Sequence, residues 1–185
     1  MDGPFYLDQR QPFISADVAS VTLATTDKAM YPVANFPALG SNYFSFIGKA
    51  IWIHLFGRIT TAATPGNLTV DTYWGTGADA NGTIIGSSAA VALTASQTNL
   101  SWTLDLFVRA RTLGATGTLF VTGELVANNA VLATSVQPVL VPASAPAASS
   151  SVDLTASNII SVQFKRSGST AETAQVHELG VYALN

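Results

Sequence analysis

Between Thr98 and Arg111 the sequence alternates with a period of two. Leu100, Trp102, Leu104, Leu106, Val108 and Ala110 take one set of positions, and Ser101, Thr103, Asp105, Phe107, Arg109 and Arg111 take the other. Successive side chains of a strand point to opposite faces, so this segment reads as a long strand with one buried face. Lys49–Thr61 repeats the pattern, with Ile51, Ile53, Leu55 and Ile59 set against Trp52, His54, Phe56 and Arg58. Both of its faces carry bulk, which predicts a central strand. β-Branched and aromatic residues predict further strands at Ala19–Ala24, Leu68–Trp74, Gly82–Ile85, Ala90–Leu93, Gly117–Val126, Val131–Thr134, Val152–Leu154, Asn158–Arg166 and Ala174–Leu184. Turn chemistry separates them: Pro65-Gly66-Asn67, Asn81-Gly82, Gly114-Ala115-Thr116-Gly117, Asn128-Asn129 and Gly168-Ser169. No segment sustains a helical period, although Thr26–Met30 is compatible with a short turn of helix. Short, regular spacing of strands without helices indicates an antiparallel β-sandwich or jelly roll.

Length and composition bound the function. A chain of 185 residues fits one domain, or one domain with an arm. There are no cysteines, which excludes disulfides, thiolate metal sites and cysteine nucleophiles. The net charge is −3 and the 8 basic residues are scattered, so no basic stripe offers itself to nucleic acid. No apolar run approaches the ~20 residues that span a bilayer. The opening MDGPFYLDQR lacks the basic-then-apolar layout of a secretory leader, so none is expected. Charged residues make up only 10%, against roughly 25% in an ordinary soluble domain. Two readings follow: a β protein coated with threonine and serine, or a surface largely covered by copies of itself or by a partner.

Two stretches stand apart from the strands. Residues 1–17 mix Pro4 and Pro12 with Phe5, Tyr6 and Phe13 and cannot build a core of their own. They read either as a loose terminus or as an arm whose aromatics dock on a neighbour, with residues 18–185 as the sandwich domain. Pro138–Ser151 is rich in proline, alanine and serine and reads as an extended connection within that domain.

Reactive chemistry is sparse. Of two histidines, His54 lies beside Trp52 and Phe56 on a predicted strand and is expected in the core or half-buried, with one hydrogen-bond partner. His177 and Glu178 are adjacent in a strand and should face opposite sides, which keeps them from one ligand. No G-x-S-x-G elbow is present. The three glutamates, Glu124, Glu172 and Glu178, do not by themselves declare a catalytic pair. The segment Gly75–Ala80 matches G-x-G-x-x-A loosely, but Asn81-Gly82 follows and a hairpin is expected instead of a phosphate loop. Asp79 and Asn81 offer two oxygens where Ca²⁺ takes about six to eight. Three Asn-x-Ser/Thr patterns, at Asn67, Asn81 and Asn99, are expected by chance in so threonine- and serine-rich a chain. Trp52, Phe56, Tyr73, Trp74 and Trp102 read as core, or alternatively as a platform for a sugar. No catalytic residue, cofactor or metal site is expected.

Three stretches, taken in order, carry a resemblance. They are AIWIHLFGRITTAATPGNLTVDTYWGT from Ala50, SWTLDLFVRARTLGATGTLFVTGEL from Ser101, and SVDLTASNIISVQFKRSGSTAETAQVHELGVYAL from Ser151. Together they lie within residues 50–184 and resemble the jelly-roll virion proteins of tailed bacteriophages. That resemblance implies a non-enzymatic virion component, often trimeric. Within the matching segments Gly114 and Gly117 suit a tight turn needing positive φ, Trp102 should fill the space between sheets, and Arg109 and Arg111 share a face with Asp105.

Among virion roles, decoration of the capsid is expected: a homotrimer bound to the major capsid protein on the outer shell, made in the bacterial cytoplasm, with no direct contact to nucleic acid or membrane. Phe5, Tyr6 and Phe13 are the expected anchors. The alternative is a tail-tip or fibre module that binds a host surface receptor or glycan.

Overall fold

A computed structural model describes residues 10–11, 18–133 and 138–184 of the protein. The strands are β1 (Arg10–Gln11), β2 (Val21–Thr22), β3 (Lys28–Ala29), β4 (Ala50–Thr60), β5 (Asn67–Gly75), β6 (Thr83–Ser87), β7 (Val91–Ala92), β8 (Leu100–Thr112), β9 (Thr118–Ala127), β10 (Val139–Val141), β11 (Ile159–Arg166) and β12 (Thr173–Ala183). They form two antiparallel sheets. The seven-stranded sheet runs β1-β12-β4-β8-β9-β10, with β2 also on β12; the five-stranded sheet runs β3-β11-β5-β6, with β7 also on β5. The protein is an all-β sandwich.

The alternation that predicts β4 and β8 also sets their inner faces. Ile51, Ile53 and Leu55 from β4 and Leu104, Leu106 and Val108 from β8 are buried against Val70 of β5 and Val162 and Phe164 of β11. As the bulk on both faces of its sequence predicts, β4 is central, between β12 and β8. Trp102 fills the space between sheets, its ring 5.0 Å from that of Phe164. Gly57, its partner across β4 and β8, makes this possible: a Cβ there would lie 2.4 Å from the indole and 2.2 Å from the Gln175 carbonyl oxygen.

The chain passes from the large sheet to the small one between β4 and β5, and returns between β11 and β12. The two crossings run side by side. Asn67 and Ser167 exchange hydrogen bonds at 2.9 Å, and Thr170 donates to the Thr64 carbonyl. Beneath them Glu172, fully buried, pairs with Arg166 at 3.2 Å and accepts from the Gly66 amide at 3.3 Å. Arg166 Nε also donates to the Leu23 carbonyl at 2.8 Å, which ties the chain near β2 to this corner.

Several expectations need correction. No helical turn forms at Thr26–Met30, because Lys28–Ala29 pairs with β11; among the described residues the one 3-10 turn is at Val33–Asn35. Val131–Thr134 and Val152–Leu154 contribute only the isolated bridges Leu93–Leu132 and Gly117–Val152, and Thr134 is outside the described residues. The connection at Pro138–Ser151 holds a strand, β10, paired to β9. Gly114 has φ +90°, as a tight turn requires, but Gly117 serves close packing, since a Cβ there would meet Leu154 at 2.5 Å. Phe5, Tyr6 and Phe13 lie outside the described residues, as does the arm of residues 1–17 apart from β1, which pairs with β12 at Val181 and Tyr182.

Candidate functional site

The outer face of the large sheet is built by the residues that alternate with the core. Register places Tyr182, Trp52, Phe107 and Thr122 in one row across β12, β4, β8 and β9. The next row holds Gly180, His54, Asp105, Glu124 and Leu140 of β10. Trp52 lies between its neighbours, 4.8 Å from the Tyr182 ring and 6.1 Å from that of Phe107, the last pair within 8° of parallel. The Tyr182 ring covers the α-carbon of Gly180, where any Cβ would touch it at 2.5 Å.

Asp105 is the polar centre of this face. Its Oδ1 accepts from Trp52 Nε1 at 2.8 Å and from His54 Nδ1 at 2.9 Å. His54 is therefore half-buried with one partner, the second of the two placements the sequence allows. Among the described residues no hydroxyl is hydrogen-bonded to this His–Asp pair. A recess of about 550 Å³ opens beside it, lined by Trp52, Asp105, Phe107, Thr122, Gly123 and Glu124. Arg111, which shares the face with Asp105 in the sequence, lies instead over the Phe120 ring at 5.2 Å. Further along, Phe56 meets the His177 ring at 6.3 Å. His177 occupies a bulge in β12, so both it and Glu178 sit outside, between the buried Val176 and Leu179. Strict alternation would put them on opposite sides; one inserted residue cancels it.

The small sheet shows the converse. Its outward residues on β5 and β11 include Asp71, Tyr73, Ser161 and Gln163, and all four are buried. The segment around β3 and the loop between β5 and β6 lie over them. Gln163 donates to the Ala78 carbonyl at 2.9 Å and accepts from the Ala80 amide at 2.7 Å, and Asp79 accepts from Lys28 Nζ at 2.7 Å and the Ala29 amide at 2.8 Å. Burial alone raises the Asp79 carboxyl, but the Lys28 ammonium and the Ala29 amide outweigh it and hold it below the usual range. Asn81 accepts from the Thr76 hydroxyl. The loop is the expected hairpin connection, and its two candidate cation ligands already have protein donors.

Beneath this cover lies a charged cluster. Lys165 Nζ reaches Asp71 at 2.9 Å and Asp27 at 3.6 Å, and the Tyr73 hydroxyl donates to Asp27 at 2.8 Å. Oδ1 of each aspartate has no donor among the described residues. Burial, and then the hydrogen bond with Asp71, raise the Asp27 carboxyl above its ordinary value. Lys165 is held protonated above its usual range chiefly by its bond to Asp71.

Of the five aromatics singled out in the sequence, the structure separates two from three. Trp52 and Phe56 are half-exposed on the large sheet, whereas Tyr73, Trp74 and Trp102 are buried. Among the described residues no three His, Asp or Glu side chains converge as a metal site, and no helix is long and apolar enough to cross a membrane. No family model, curated protein or solved structure matches this chain.

Proposed function

We propose that the protein is a non-enzymatic structural component of a bacteriophage virion, of jelly-roll type, that decorates the capsid as an oligomer. The observation that carries this reading is an apolar tip at one end of the sandwich. Phe46, Ile47, Leu113 and Leu184 are exposed there, Ile47 by 67%. Backbone hydrogen bonds gather their segments: Leu184 to Ala50, Gly48 to Ala110, and Ala110 to Lys49. Large apolar side chains grouped on a surface mark a contact with another protein. The sparse charge of the whole chain supports the same reading, as does the paired wrap of β4–β5 against β11–β12 across both sheets, the manner of a jelly roll. The β8–β9 hairpin beside β4 is an addition to that pattern. The arm of residues 1–17, with Phe5, Tyr6 and Phe13, would supply the second contact, on the major capsid protein, and several arms acting together raise the effective affinity.

The test has two parts. Ile47→Asp should convert the oligomer to monomer by light scattering while the circular dichroism stays unchanged, and it should weaken co-sedimentation with capsids more than about tenfold. Electron microscopy of intact particles should show the protein at high copy number on the shell. Density confined to the tail would favour the second reading, a tail-tip or fibre module at a host surface. The aromatic face of the large sheet is the observation that speaks for it.

A further inference from the structure

The recess on the large sheet has a chemistry that shell binding leaves unused. One side is apolar: the parallel rings of Trp52 and Phe107, continued by Tyr182. The other side carries Asp105 and Glu124, direct partners across β8 and β9. Ionised carboxylates only accept hydrogen bonds. Asp105 has both protein donors on Oδ1, and neither its Oδ2 nor the exposed Glu124 has a donor among the described residues. The site thus asks for an occupant with apolar C–H groups to lie against ring edges and several donors around its rim. A pyranose ring has both, in C–H groups on its face and hydroxyls at its rim.

We infer that this recess binds an uncharged sugar of a glycan, its C–H groups packed against the exposed edges of the Trp52 and Phe107 rings and its hydroxyls donating to Asp105 and Glu124. Charge narrows the class: two neighbouring carboxylates repel uronic acids, sialic acids and sugar phosphates. A wholly apolar occupant would leave both acceptors unfilled. A volume of about 550 Å³ lies within the usual range of small-ligand sites and leaves room for one or two rings. His54 is a positioning residue: it holds Asp105 in place through Nδ1. The inference does not rest on the capsid reading, because a decoration protein and a fibre module would both expose this face. A failed capsid assay therefore leaves the sugar assay intact, and the reverse.

Trp52 is the one half-exposed tryptophan, since Trp74 and Trp102 are 5% and 2% exposed, so acrylamide quenching of the intact protein reads this site. The probes are neutral hexose and N-acetylhexosamine oligosaccharides, with oligogalacturonate and hexalysine as charged controls. Neutral oligosaccharides should protect Trp52 saturably, with dissociation constants of about 10 μM to 1 mM, and oligogalacturonate should not. Glu124→Gln should weaken binding about fivefold and Phe107→Ala more than about tenfold, both with unchanged circular dichroism. His54→Ala should weaken it with a loosened Trp52 emission spectrum, and His54→Gln should recover part of the loss. The inference is overturned if no neutral sugar in the panel protects Trp52 of the folded protein, if hexalysine protects it and sugars do not, or if Glu124→Gln and Phe107→Ala bind like the unchanged protein.

Discussion

The outer faces of the two sheets invert the ordinary relation between polarity and exposure. On the large sheet, Trp52, Phe107 and Tyr182 are only half-buried. On the small sheet, Asp71, Gln163 and Ser161 are wholly enclosed. Residue type does not decide this; what lies across each face does. The segment around β3 and the loop between β5 and β6 cover the small sheet, and their hydrogen bonds to Gln163, together with the ion pairs of Lys165, offset the cost of burying polar groups. No strand or loop crosses the large sheet's outer face near Trp52 among the described residues. One face is closed by its own chain; the other, among the described residues, stays open.

Removing the cation from the closed face should do the most damage. Lys165→Met leaves two facing carboxyls, and urea unfolding should show a loss of about 2–3 kcal/mol, at or below the low end for a broken buried pair because the ammonium is one-third exposed. An unchanged midpoint would mean that the cluster contributes nothing to closure.

A subtler probe is pH. The Asp27 carboxyl is raised in the folded protein, so its contribution is fully present below the ordinary carboxylate value and is lost as pH climbs through the raised one. Unfolding free energy should fall across that window in the wild type, and Asp27→Asn should flatten the fall. Asp79, whose carboxyl is lowered, acts with the opposite sign: its contribution fades as pH drops through and below the ordinary range.

The open face should respond least in stability and most in spectrum. Gly180→Ala places a methyl against the movable end of the Tyr182 ring, so the cost should stay below about 1 kcal/mol. Tyr182 should nevertheless swing off Trp52, shifting its fluorescence. A loss of several kcal/mol would show instead that this face is as rigidly built as the other.

Alternation in the sequence discloses the strands β4 and β8 and their two faces, because burial on one side imposes a period of two. It places Trp102 inside and Asp105 with Phe107 outside. It cannot pair them across strands: His54 meets Asp105 only through the register of β4 and β8, and Asp27, Asp71 and Lys165 come together from three separate elements. The strand β10 stays hidden because Val139–Val141 is short and embedded in proline, alanine and serine. His177 misleads because a bulge leaves no mark on composition. The cover over the small sheet is invisible too, since its decisive contacts use backbone amides and carbonyls that every sequence possesses.

The pairing of β4 with β12 and of β5 with β11 has a consequence for biosynthesis. β4 and β5 can pair early with β8 and β6, but their second partners, β12 and β11, arrive only after every intervening segment has left the ribosome. Until then the greasy strips of β4 and β8 stand open on one another's neighbours, a state that invites coalescence of nascent chains and slows maturation.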